Sequence, residues 1–173
     1  ERYLDDAIRF VNHYEDLLTV NRPASAVMDI NHAAGRSPVV VPPAVYQLIK
    51  RAVAVSNQHF GFNAAIGPLV KLWHIGFADA RVPSDLEIDQ RRELIGSDEI
   101  VLDDERLSVY LPQAGMELDL GAIAKGYIAD RLQDYLRSQG HMAAIINFGG
   151  NIVLMNEAPH KADGRWRIGV RDP

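Results

Sequence analysis

Cysteine is absent from the 173 residues, which excludes disulfides, thiolate metal sites and cysteine nucleophiles. The absence says little about compartment, since a protein working outside a reducing cytosol can simply avoid thiols. No apolar run approaches the ~20 residues of a membrane helix, and the first residues carry no signal-peptide pattern. An excess of basic charge is also lacking: 18 Lys and Arg stand against 23 Asp and Glu, a net charge of −5. The two signs are interspersed, so no basic face points to nucleic acid. An anionic nucleotide stays open, because its site needs only local positive groups. There is no Gly-x-Ser-x-Gly elbow, no Walker loop and no internal repeat. His13, His32, His59, His74, His141 and His160 show no ligand spacing and read as scattered surface or loop residues.

What is present is a chain with 47% hydrophobic residues, enough for one sizeable core. Leu4, Ala7, Ile8, Val11, Tyr14 and Leu18 recur at helical spacing, which predicts an amphipathic helix over 2–18. Residues 19–41 lack periodicity and carry Pro23, Gly35 and Pro38, so a long connection is expected. Pro42 and Pro43 open a second helix with Val45, Leu48, Ile49, Ala52 and Val53 on its apolar face, running to about Gln58. The glycine-punctuated stretch 60–77 has no assignable element. Ser84 and Glu87 have capping-box spacing for a short helix to about Ile95.

Ile100–Leu102 and Leu107–Leu111 flank a polar turn and predict a hairpin. Met116–Leu118 reads as a short strand. Ile128, Leu132, Tyr135 and Leu136 give the next helix its buried face, and Gly140 stops it. Ala143–Phe148, Ile152–Met155 and Trp166–Val170 are expected strands, with Gly164 in the turn before the last. Trp73 and Trp166 read first as core. The fold class is therefore α+β, a mixed or antiparallel sheet with packed helices rather than a doubly wound one. The chain opens inside a helical pattern and closes on the turn signal Asp172-Pro173, so the expectation is part of a longer domain, truncated at both ends.

The richest stretch is Met116-Glu-Leu-Asp119-Leu-Gly-Ala-Ile-Ala-Lys125-Gly-Tyr127, followed by Asn147-Phe-Gly-Gly-Asn151. Gly121 ends an apolar segment where a helical pattern begins. That turn brings together free N–H groups, the positive end of a helix dipole, the acid Asp119 and the base Lys125, a setting that suits a phosphate. Each residue also has a plainer reading. Asp119 can cap the helix from just outside it, and Lys125 can be a solvated surface side chain. Ala122 is, on its own, a helix former. Gly149, Gly150 and Asn151 read as a turn between strands.

Taken whole, Asp-Leu-Gly-Ala-Ile-Ala-Lys-Gly-Tyr and Ile-Asn-Phe-Gly-Gly-Asn-Ile resemble the ApbE family of flavin transferases. The stretch from Phe62 to Phe77, Phe-Asn-Ala-Ala-Ile-Gly-Pro-Leu-Val-Lys-Leu-Trp-His-Ile-Gly-Phe, is similar to that family's F-D-x-T-V-G-P-L-x-x-L-W-G-F-G segment. Trp166-Arg-Ile-Gly-Val-Arg-Asp-Pro173 resembles its W-R-V-G-I-x-D-P. The resemblance runs over nearly the whole chain and in order. It implies a single, partial ApbE-like (T-fold-like) domain over residues 1–173, with a metal-binding C-terminal portion lying outside them.

What the resemblance implies for function is FAD:protein FMN transfer, with FMN passing from FAD to a threonine of an acceptor flavoprotein and AMP leaving, dependent on magnesium. Asp119 would contact FAD, as would Gly61, Phe62 and Asn63, and Ala122 would offer its main-chain carbonyl to magnesium. Ser25 and Asn31 match a loop element near the flavin. Two departures stand out: Asn63 replaces the usual aspartate, and Val20 replaces a frequent tyrosine. The remaining magnesium ligands and a histidine associated with catalysis would follow the last residue here, and the catalytic residue is unknown. A magnesium-dependent FAD pyrophosphatase and a non-catalytic FAD-binding module remain as alternatives. Such relatives are often membrane-anchored outside the cytoplasm, but any anchor would precede residue 1. The sequence fixes no compartment.

Overall fold

Six α-helices and five short strands occur in the computed structural model, which describes residues 2–170. The end of the third motif, Arg171-Asp172-Pro173, lies outside the described residues. The chain divides into two compact units, one of residues 13–124 and one of residues 1–12 with 125–173, the boundaries falling within the first and last helices. No helix among the described residues is long and apolar enough to cross a membrane.

In the larger unit the stretch expected as a long connection carries two elements, α2 (Ala26–His32) and β1 (Val39–Val40). Helix α2 is only seven residues long, too short to display a 3.6-residue period in sequence. It forms because Ser25 caps it, the Ser25 hydroxyl accepting from Met28 N–H at 2.9 Å, and because Val27, Met28 and Ile30 are buried. Helix α3 (Pro43–Ser56) starts at the proline pair as expected and buries Val45, Leu48, Ile49, Ala52 and Val53. Tyr46 is also wholly buried, its hydroxyl donating to Asp104 at 2.8 Å. Burial, then the bond to Asp104, pushes the Tyr46 phenol up to about 12.

The stretch left unassigned contains α4 (Gly67–Trp73), and α5 (Asp85–Arg92) follows behind the Ser84–Glu87 capping box, which is made in both directions. A single 3₁₀ turn, Ser97–Glu99, leads into β2 (Val101–Asp103) and β3 (Ser108–Tyr110). The three strands lie in the order β1-β3-β2, all antiparallel, with Val109 paired to both Val39 and Leu102. The hairpin turn is held by Asp103, whose Oδ1 accepts from Glu105 and Arg106 N–H at 3.0 Å each.

The expected strand at 116–118 does not form. Met116, Leu118 and Leu120 are buried in alternation, as in a strand, but no neighbouring strand supplies the ladder. Side-chain and loop partners take the backbone bonds instead, as described below. Trp166–Val170 likewise forms no strand among the described residues. Its tryptophan is half-buried rather than core and donates its indole N–H to the Asn156 carbonyl at 2.7 Å. Trp73, also expected in the core, is half-buried.

The smaller unit is built on α1 (Arg2–Leu18) and α6 (Gly121–Ser138), in their parts belonging to it, and on the hairpin of β4 (Ala144–Phe148) and β5 (Asn151–Met155). Ala129, Leu132 and Ile146 form its core, with Ala7, Phe10, Val11, Tyr135 and Leu136 packed partly buried against it. Leu4 and Ile8, on the apolar stripe of α1, stay exposed. Helix α6 ends in a Schellman arrangement: Gly140 N–H donates to Arg137 O and His141 N–H to Leu136 O, with Gly140 at φ +84°. The β4–β5 turn is Gly149-Gly150, both at positive φ (+60° and +99°), as a two-residue hairpin turn of the primed type requires.

Candidate functional site

The motif around Asp119 lies on an extended segment, 116–120, pinned from three sides within the larger unit. Asn31, buried in α2, reaches across with its side-chain amide: its Oδ1 accepts from Leu118 N–H at 2.7 Å and its Nδ2 donates to Leu118 O at 3.0 Å. Asp119 N–H donates to Ala64 O at 2.9 Å, and Gly67 N–H donates to Glu117 O at 3.2 Å. The side-chain amide of Asn31 thus does the work of a neighbouring strand, satisfying both backbone groups of one residue. Gly67 permits the close approach. A Cβ there would lie 2.7 Å from Glu117 Cβ and 2.8 Å from Glu117 O.

With the segment fixed, the Asp119 carboxylate turns to the start of α6. Its Oδ1 accepts from Gly121 N–H at 2.8 Å, so the plain reading of Asp119 as a cap is correct in its geometry. The same residue lines a cleft of about 330 Å³ whose walls come from the loop Val20–Pro23, from α4 and its exit (Val70, Lys71, His74, Ile75, Phe77) and from Glu117–Asp119. Lys71 is committed within it, Nζ lying 2.5 Å from Glu117 Oε2 in ion-pair contact. A second, more polar cleft of about 290 Å³ shares Lys71, His74 and Glu117 and adds Arg81 and Arg91.

The remaining expected site residues are dispersed. Gly61 is exposed at φ +92° and Phe62 is half-buried. Asn63 uses both ends of its amide on the protein: Nδ2 donates to Ile95 O at 2.9 Å and Oδ1 accepts from Ala65 N–H at 2.8 Å. None of these three lines the cleft that Asp119 lines. Asn63 therefore has a local physical reason to be an amide, since a carboxylate has no hydrogen to give Ile95. Ser25 and Asn31 are likewise engaged with backbone, as cap and clamp. Val20 does line the cleft. Ala122 is exposed at the second position of α6, and Lys125, also exposed, lies one turn further in the portion of α6 that belongs to the smaller unit.

Residues 2–173 match the sequence profile of the ApbE family. The chain belongs to that family. Among ApbE relatives, a Klebsiella pneumoniae protein named FAD:protein FMN transferase is 54% identical over 166 residues, covering 95% of this chain and 50% of its own length. A Treponema pallidum protein of the same name is 35% identical over 182 residues, covering 98% and 50%. The fold agrees. The crystal structure of the Thermotoga maritima ApbE protein superposes with a TM-score of 0.89 at 27% identity, over 99% of this chain and 55% of that one. The flavin transferase ApbE from Vibrio cholerae gives 0.88 at 26%, over 99% and 55%. The chain thus spans about half the length of the curated relatives it matches, and its α+β architecture is that of ApbE proteins.

One signal in the sequence could have located more of this site. Gly67, followed by Pro68 at the head of α4, marked a close backbone approach. Asn31 carried no comparable mark, because its partner lies 87 residues away. The described residues do not by themselves suit magnesium. A hard divalent cation takes about six oxygen ligands, whereas Ala122 offers one carbonyl and Asp119 Oδ1 is already an acceptor for Gly121. No group of three His, Asp or Glu that could hold a metal occurs among the described residues.

Proposed function

We propose that this chain is the FAD-binding part of a FAD:protein FMN transferase. The observation that carries the proposal is the position of Asp119, the acid of the ApbE motif, on a rigidly pinned segment in the wall of a cleft beside the first turn of α6. The 54% identity to a protein of that name supports it. In the proposed reaction the Oγ of an acceptor threonine attacks the FMN phosphorus of FAD. The new P–O bond to threonine forms as the phosphoanhydride bond breaks, AMP leaves with the bridging oxygen, and the hydroxyl proton passes to solvent or a base. Asp119, accepting from a flavin or ribose donor, and Lys125, facing phosphate charge, would bind and orient the nucleotide. Gly61, Phe62 and Asn63 would act by shaping the loop, through the amide of Asn63, as much as by touching it.

Phosphoryl transfer asks mainly for positioning and electrostatic stabilisation. Magnesium would supply the latter, with Ala122 O as one ligand, although the residues here do not complete such a site. Because the relatives are about twice as long, the other ligands and the catalytic residue are proposed to lie in the part of one continuous domain that this chain does not cover. The 173 residues should accordingly bind FAD but turn it over poorly.

The test is FAD binding with and without magnesium, with AMP as competitor, for the parent, Asp119→Asn and Asp119→Ala. Asparagine keeps an oxygen for Gly121 N–H, so it separates capping from ligand binding. Loss of a hydrogen bond to a charged acceptor is worth ~1.5–3 kcal/mol, so Asp119→Asn should weaken FAD about tenfold or more without loss of helix. Absence of FAD binding by the parent would refute the proposal. In a parent-length protein, covalent flavin on the acceptor is the expected product. Free FMN without acceptor would mark a pyrophosphatase, and intact FAD a binding module.

A further inference from the structure

At the exit of α4 the chain makes an unusual feature for a surface loop. His74 terminates the helix in the left-handed region, at φ +50°, where a side chain is unfavourable and glycine is the usual residue. The family segment quoted above has glycine at this very position. His74 is nonetheless held firmly. Its Nδ1 lies 2.7 Å from Asp79 Oδ1, and its ring stacks on Phe77 with centroids 4.1 Å apart and planes 13° from parallel. Backbone strain retained under two such restraints points to a use.

The place of the stack suggests which use. His74 lines both clefts and Phe77 lines the one that Asp119 lines, so both rings of the pair border that cleft. Phe77 is 50% exposed and Ile75 79% exposed, and Val70 beside them is also open. Exposed apolar side chains gathered on one wall of a cleft mark a ligand surface more than a random surface does. The cleft lining thus combines the stacked rings and their apolar neighbours with polar groups, among them the carboxylate of Asp119.

We propose that the His74–Phe77 stack is the platform on which the isoalloxazine ring of the flavin lies, with Phe77 as the contacting ring and His74, tied by Asp79, as its support. The proposal rests on the flavin-nucleotide reading above. A flat tricyclic ring with an apolar dimethylbenzene edge and a polar N–H-bearing edge suits a cleft whose lining holds both an aromatic stack and a carboxylate. Aromatic stacking supplies affinity without a hydrogen-bond code.

The experiment measures the binding of FAD, FMN and AMP to the full chain and to Phe77→Leu and Phe77→Trp. Leucine keeps the apolar bulk and removes the stacking face; Phe77 is half-exposed, so the fold should survive. Phe77→Leu should weaken FAD and FMN about tenfold, the usual worth of one ring-on-aromatic stack, and leave AMP unchanged. Phe77→Trp should retain affinity and quench the fluorescence of bound FMN, since an electron-rich indole would lie against the ring. Equal FMN binding by Phe77→Leu and parent, or unaltered bound-FMN fluorescence in Phe77→Trp, would overturn the platform alone. A loss falling equally on AMP would move the stack to the adenine and overturn the assignment. A parent that binds neither FAD nor FMN would overturn both this proposal and the flavin reading beneath it.

Discussion

Replacing Asn31 probes how the site is held. The side chain is 8% exposed and makes two hydrogen bonds to the backbone of Leu118, itself 1% exposed. In Asn31→Ala the Leu118 N–H and C=O lose their partners in a place water does not reach. An orphaned buried polar group costs ~1–3 kcal/mol, so two together, partly relieved by local adjustment, should cost about 3 kcal/mol. For a chain of this size ~2–4 °C of melting temperature accompanies each kcal/mol, giving a fall of about 6–12 °C in the transition of the larger unit.

Asn31→Asp sharpens the argument. An aspartate keeps the oxygen that accepts from Leu118 N–H but turns a second oxygen toward Leu118 O. Burial and this repulsion raise its folded-state pKa above the unfolded value of ~3.9. The folded state then binds the proton more readily, so the deficit should be full above the raised pKa and shrink as pH falls toward ~3.9. The protonated carboxyl can donate to Leu118 O again. The assay is urea unfolding of parent, Asn31→Ala and Asn31→Asp between pH 4 and 8, at about unit steps, with hydrogen exchange at the Leu118 amide. An Asn31→Asp deficit that grows as pH falls, or an Asn31→Ala within ~0.5 kcal/mol of parent, would refute the clamp.

Other expectations follow from the same geometry. Gly67→Ala should gain up to ~1 kcal/mol from helix propensity yet lose ~1–3 kcal/mol to the clash with Glu117, leaving a net loss in urea unfolding; a stabilised variant would show that the approach is not tight. Asn63→Asp, which restores the family's usual residue, should cost ~1–2 kcal/mol by removing the donor to Ile95 O, and unchanged stability with tighter FAD binding would sink that view. Glu87 should titrate near about 2 by NMR, because Arg81 and then the Ser84 backbone and hydroxyl stabilise its carboxylate. A lowered folded pKa means this contribution is complete above the ordinary value of 4.5 and is lost as pH falls toward about 2, so Glu87→Gln should narrow the acid-stability difference between pH 5 and pH 2.

Much of the fold is legible where the physics is local. The apolar stripe of α3, its opening prolines, the Ser84–Glu87 box, Gly140 and the Gly149-Gly150 turn each act within a few residues, and each does in the structure what its spacing announces. The family, too, is carried by contiguous motifs. By contrast α2 and α4 were hidden, being seven residues each, shorter than the window in which a helical period can be counted. Residues 116–120 have the alternation of a strand without a ladder, since alternation reports burial and not what pairs with the backbone.

By itself, then, the sequence determined that this chain is an α+β member of a flavin-transferase family and that Asp119 stands at the mouth of a helix. Only the tertiary structure decided that Asn31 serves as the missing strand beside Leu118, that Asn63 is spent on Ile95, and that His74 and Phe77 stack in the cleft of Asp119. Those contacts join residues 87, 32 and, through the cleft, more than 40 positions apart. No local pattern encodes such a meeting, because it depends on where packing brings the backbone and not on the chemistry of neighbouring residues.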